Sequence, residues 1–240
     1  MKITTITGKL KSDELTVTKA IGSLIIATSY TMEQLLNEKI TIYIERGNGN
    51  NVILANKIPL KAFIMASTFG SEAVQSDGIF GCVALCEICQ NGAIFLAEKE
   101  SIKIQFDDLR ALGTYEVYGV EEPVVSDHLF MFEQKTVASD DFNKKIDVKG
   151  FDLAIMSTSA SVSDLSYQFA NGQVVKYLPF ELQTLSRDID PIQAIDLYGS
   201  VLQSITGLLS LPLIHVDFIE INKAQGEIIN FVVRTEKNVQ

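Results

Sequence analysis

Residues 41–63, TIYIERGNGNNVILANKIPLKAF, read as a strand that turns at a Gly/Asn cluster, returns, and enters a helix opened by a proline. Residues 166–182, SYQFANGQVVKYLPFEL, repeat the plan. A chain that builds one supersecondary unit twice is tightly constrained, because each copy must bury its own apolar face. Further matches keep the same order. SLIIATS at 23–29 aligns with DLAIMST at 152–158, Leu24 to Leu153, and Tyr43 aligns with Tyr167. IPLKAFI aligns with LPFELQTL through Pro59 and Pro179, IKIQF with IHVDF through Ile102 and Ile214, and GTYEVYGV with GEIINFVV through Gly113 and Gly226. The offset drifts from 129 at Leu24 to 112 at Ile102, as expected of a duplicated unit that has lost a few loop residues.

Strand-length apolar runs, alternating or continuous, occur at 22–28, 40–45, 51–55, 82–88, 93–97, 102–106 and 114–120. A second series follows at 151–157, 164–169, 173–177, 213–219 and 227–234. Pro59 and Pro179 suit a first helical turn and precede Leu60, Phe63, Ile64 and Phe180, Leu182, Leu185. A third helix is expected at 190–205, capped by Asp190 with Pro191 next. Many short strands, few helices and no βαβ alternation predict an all-β chain with short helices, arranged as two tandem jelly rolls or other β-sandwiches. The polar stretch 133–150 has the composition of a linker, which places a first domain at 1–140 and a second at 141–240.

Composition narrows the function. Hydrophobic residues are 47% against 21% charged, so 240 residues can bury full cores rather than stay disordered. The formal charge of −10, without a basic cluster, opposes binding to a nucleic-acid backbone. The opening MKITTITGKLKSDEL lacks the apolar run of a secretory signal, which predicts synthesis in the cytosol. Every long apolar stretch is broken before it could span a bilayer.

Residues with chemical potential do not assemble into a set. Cys82, Cys86 and Cys89 have a C-x3-C-x2-C spacing that resembles the cluster-binding loop of radical SAM enzymes. Yet FGCVALCEIC alternates like a strand, which would turn Cys89 away from the other two, and three buried thiols are expected. His128 and His215 lack the paired ligands that a metal-binding double barrel would need. His215, aligned with Lys103, is expected on the polar face of a strand. RGNGNN at 46–51 and ANG at 170–172 read as hairpin turns rather than phosphate loops. Asp107 and Asp108, Glu121 and Glu122, and Asp140 and Asp141 read as surface charge. No residue is assigned a catalytic, cofactor-binding or metal-binding role, and no cofactor is expected.

The whole layout resembles the double jelly-roll major capsid proteins of small icosahedral, membrane-containing bacteriophages, the corticovirus-like and tectivirus-like lineage. The resemblance rests on the two hairpin-then-helix segments, GNGNNVILANKIPLKAFIMAS and ANGQVVKYLPFELQTLSRD, and on the closing strands LIHVDFIEINKAQGEIINFVVR. It implies a non-enzymatic structural protein of the virion, a homotrimer whose six jelly rolls form a pseudo-hexameric capsomer. Implied partners are copies of itself, vertex or minor capsid proteins, and an internal membrane or its proteins, with no direct nucleic-acid contact. The alternative from another class is a tandem β-sandwich that binds carbohydrate, as in a phage fibre or baseplate.

Overall fold

The computed structural model describes residues 1–68, 78–189 and 206–239. Strands run in the order β1 (Lys2–Thr7), β2 (Leu15–Val17), β3 (Ile21–Thr28), β4 (Lys39–Glu45) and β5 (Val52–Pro59) before helix α1 (Leu60–Ser67). After it come β6 (Cys82–Glu87), β7 (Ala93–Ile94), β8 (Ser101–Asp107), β9 (Thr114–Glu121), β10 (Val125–Ser126) and β11 (His128–Val137). The remainder comprises β12 (Asn143–Asp147), β13 (Leu153–Ser157), β14 (Val162–Phe169), β15 (Val174–Tyr177), helix α2 (Pro179–Ile189), β16 (Leu208–Pro212), β17 (Val216–Lys223) and β18 (Ile229–Asn238). The expected helix at 190–205 lies outside the described residues.

Two compact units emerge: Met1–Glu133 with Glu236–Gln240, and Gln134–Thr235. In the first, one sheet has the order β1-β9-β3-β6 and the other β2-β8-β4-β5. In the second the orders are β11-β18-β13-β16 and β12-β17-β14-β15. Replacing β1 to β6, β8 and β9 by β11 to β18 in turn converts the first pair of orders into the second. Two eight-stranded jelly rolls built on one plan follow from that identity. The short helix sits at the same point of each, between the fifth and sixth strands.

The units differ in two places among the described residues: the first alone carries the short parallel pair β7–β10, and one margin is built differently. In the first, the initial half of β11 continues the sheet beyond β5, running parallel with Phe132 opposite Ala55. The later half of β11 opens the second unit, so the division at Glu133/Gln134 falls inside a strand. The stretch 133–150 is therefore not a linker. It contains the end of β11 and all of β12, whose NKKID sequence leaves only Ile146 buried and so carries no alternating signal. Strand β1 was equally silent, because KITTIT buries only Ile6.

Inward alternation holds each sandwich. In β4 and β8, Ile40, Ile42, Ile44, Ile102, Ile104 and Phe106 are fully buried while Thr41, Tyr43, Lys103 and Gln105 lie between them. Each such side chain removed from water contributes about 1.5–3 kcal/mol. The second core gathers Ala154 and Met156 of β13, Leu165 and Tyr167 of β14, and Ile219 and Ile221 of β17. Two sequence alignments are thus one residue out of phase. Leu24 is inward on β3, but the core-facing residue of β13 is Ala154 rather than Leu153. Tyr43 sends its hydroxyl outward to Glu14, whereas Tyr167 is buried.

Proline explains both helix starts. Pro59 precedes α1 with φ −53°, and Pro179 is the first residue of α2, where its missing N–H is no loss. Helix α1, LKAFIMAS, is apolar nearly all round and buried nearly all round. Helix α2 is two-sided: Leu182 is buried and Phe180 exposed. Its start is fixed by the Glu181 carboxylate, which accepts from the Leu178 N–H at 2.7 Å. No described helix is long and apolar enough to cross a membrane.

Candidate functional site

Cys82 and Cys86 lie on β6 and point into the first core, and Cys89 follows the strand with its thiol near the Ser126 carbonyl at 3.6 Å. Burial pushes the Cys82 and Cys86 thiols up to about 12 and Cys89 to about 11. Metal ligation and nucleophilic attack need thiolates, so this environment disfavours both. His128, at the start of β11, has its Nδ1 2.6 Å from Glu236. His215 is not a strand residue: it occupies the turn before β17 with φ +62°, and its carbonyl accepts from the Ala170 N–H at 3.0 Å. The turn forms because Val216 N–H closes back on the Leu213 carbonyl. Lys103 lies instead in the middle of β8.

Both glycine clusters are hairpin turns. Gly49 (φ +81°) and Gly172 (φ +85°) take backbone conformations that other residues disfavour, and Asn48 and Asn171 accept the N–H groups two residues on. The acidic pairs are dispersed into local roles. Asp107 pairs with Lys11, Asp108 with Lys39, Glu121 with Lys19 and Asp141 with Lys144. Among the described residues, no cluster of three potential metal ligands occurs.

Polar side chains act as ties between loops. In the first unit Glu38, at the end of the β3–β4 loop, accepts from Arg110 Nε–H at 2.7 Å, Tyr115 O–H at 3.2 Å and Leu36 N–H at 2.8 Å. Arg110, from the β8–β9 loop, also lies over the Tyr30 ring, its Cζ 3.4 Å from the centroid. Burial alone would raise the Glu38 carboxyl, but the N–H groups of Leu36 and Glu38 and the Arg110 guanidinium hold it below the usual range. The equivalent loops of the second unit are tied by the Ser159 hydroxyl, which donates to Glu227. Ion pairing reinforces the opposite end of the first unit, where Arg46 Nη1 meets Glu100 at 2.7 Å.

The surface carries the remaining candidates. The hairpin turn and the preceding turn of the second unit border a recess of about 460 Å³ lined by Phe169, Asn171, Gln173, Val175, Ile214 and His215. The corresponding place in the first unit is a cleft of about 570 Å³ that includes the Arg46–Glu100 pair and Phe95. Exposed apolar side chains are scattered, mostly on loops, Leu112 at 97% exposure being the extreme, and include Val174 of β15 and Leu178 and Phe180 just after it. Sequence reasoning missed these because an isolated Leu or Val in a turn gives no periodic signal. The described surface thus offers exposed apolar side chains and a recess, while many of its polar groups tie its own loops.

No protein-family model matches the chain, and no curated protein matches it. Solved structures do. The chain is similar to the major capsid protein P2 of Bacteriophage PM2, with a TM-score of 0.58 at 10% identity, covering 100% of this chain and 95% of that one. It is also similar to a chain from the atomic structure of Sulfolobus Turreted Icosahedral Virus, with a TM-score of 0.59 at 6% identity, covering 99% and 90%. At these identities the likeness establishes the shared two-unit fold.

Proposed function

We propose that this chain is a structural subunit of a viral capsid, and that it works by assembly rather than catalysis. The observation that carries the reading is the end-to-end match of both jelly rolls to a bacteriophage major capsid protein, with 100% and 95% of the two chains covered. A shared single domain would be weak support, since common folds host many functions. A shared duplication, with little left over on either side, is more restrictive.

The assembly unit in this reading is a homotrimer presenting six jelly rolls as a pseudo-hexameric capsomer. Duplication has a geometric purpose there: three fused pairs offer six similar edges for hexagonal packing, while the two halves of one chain stay free to diverge. Copies of the chain are the principal partners, with vertex or minor capsid proteins and an internal membrane as further ones. The site of action is the virion, after synthesis in the host cytoplasm.

Light scattering on purified protein tests the reading. The expected mass is three times the 26.5 kDa of the chain, stable at micromolar concentration, since obligate interfaces bury roughly 2,000 Å² or more. A monomer that binds a glycan or turns over a small molecule would overturn it.

A further inference from the structure

Strand β15 ends its sheet, with β14 its one neighbour among the described residues. The Phe169 N–H donates to the Gln173 carbonyl. Antiparallel alternation then makes Tyr167/Val175 and Leu165/Tyr177 the exchanging pairs. The intervening residues, Val174 and Lys176, therefore direct their N–H and C=O groups away from β14, along the open edge. Usual defences of such an edge are weak here. It contains no proline, and the Lys176 ammonium is held by Asp164 at 2.9 Å. Val174, Leu178 and Phe180 instead expose apolar surface beside it.

The equivalent edge of the first unit shows what fits. There β5 carries the first half of β11 in parallel, with Phe132 opposite Ala55. Leu129, Phe130 and Phe132 are buried, and the Phe132 ring lies edge-on to Phe63 of α1, 4.9 Å between centroids. We propose that the β15 edge of the second unit accepts an extended segment of another polypeptide, parallel to β15, with a run of apolar side chains like LFMF of β11. One such side chain would enter the recess walled by Phe169, Val175 and Ile214, which adjoins the start of β15.

The occupant is assigned to a different polypeptide rather than a second copy, because the edge strands of this chain are poorly suited. Strand β2 has three residues, β1 (KITTIT) and β12 (NKKID) are mostly polar, β6 buries every other residue in its own unit, and β16 has Leu209, Ser210 and Leu211 buried. A net charge of −10 further favours a segment that is not acidic. Main-chain hydrogen bonds would supply the affinity and the recess the selectivity. The inference rests on the duplicated fold and not on the capsid reading, so a chain of any oligomeric state could satisfy it.

The test uses a fluorescent peptide of sequence HLFMFEQK, residues 128–135, titrated against the full chain and followed by anisotropy. Saturable binding is expected, with Kd on the order of 10–100 μM. Val174→Pro removes an outward N–H that the sheet does not use, and should weaken binding at least tenfold, with circular dichroism showing the fold retained. Two further probes, N-methylated on one or the other alternate set of amides, keep the test valid if that variant misfolds. One set should abolish binding to the unaltered protein and the other leave it. Absence of saturable binding, a folded Val174→Pro chain that binds equally, or equal behaviour of the two methylated probes would overturn the proposal.

Discussion

The two jelly rolls share eight strand positions and differ at their margins. In the first, α1 is sunk in apolar surroundings and the strand before it is covered by β11. In the second, α2 keeps one face in solvent and β15 ends its sheet. Inward alternation satisfies the demand common to both copies, a filled sandwich. Margins answer to what lies beside each copy, so duplication conserves the first and releases the second.

The largest effect that would sharpen this comparison is expected at the helices. Phe63→Ala should destabilise the first unit by about 4 kcal/mol, because it opens a cavity and strips Phe132 of its ring partner. Leu182→Ala, in the half-exposed α2, should cost about 2 kcal/mol. Urea unfolding followed by fluorescence of a probe in each unit would check both, and equal losses would break the contrast between a sunken and a surface helix.

Next come the loop ties. Glu38→Ala leaves the Arg110 guanidinium and the Tyr115 hydroxyl without their acceptor and should cost about 2 kcal/mol. Ser159→Ala in the second unit should cost about 1 kcal/mol. Acid provides a further distinction. The folded Glu38 pKa lies below its ordinary value of 4.5, so its stabilisation is complete above pH 4.5 and is lost as pH falls through the folded value. Glu38→Gln should flatten that part of the stability profile of the first unit below pH 4.5. An unchanged profile would show that the tie carries no charge-dependent energy.

The smallest effects concern the two tyrosines. Tyr167 is 3% exposed and its hydroxyl has no hydrogen-bond partner among the described residues, so Tyr167→Phe should be neutral or stabilising by up to about 1 kcal/mol. Tyr43→Phe loses an exposed contact to Glu14 and should destabilise by a few tenths of a kcal/mol. Thermal midpoints that move in opposite directions would support the opposed facing of these two residues.

That opposition also shows where sequence reading stops. Order and approximate spacing of the repeated segments were legible, because hydrophobic alternation and proline-opened helices are local signals. Phase was not. With a side-chain period of two, pairing Tyr43 with Tyr167 or Leu24 with Leu153 looks identical to the eye and inverts the faces. Strands with one wet face and one neighbour, such as β12, escaped for lack of alternation. Glu38 and Arg110, 72 positions apart, meet through the arrangement of whole strands, which no short window of residues encodes. Margins such as the β15 edge follow from topology alone.

The return of residues 236–239 to the first unit sets an order of events during synthesis. Glu236 contacts His128, and the Val239 N–H donates to the Asp127 carbonyl, so these residues help complete a unit whose other members are translated far earlier. At ribosomal rates of about 5–20 residues per second, roughly 100 intervening residues impose a delay of about 5–20 s. The unit begun first is thus finished last, and a nascent chain cannot present that completed surface to a neighbour before its second jelly roll has been made.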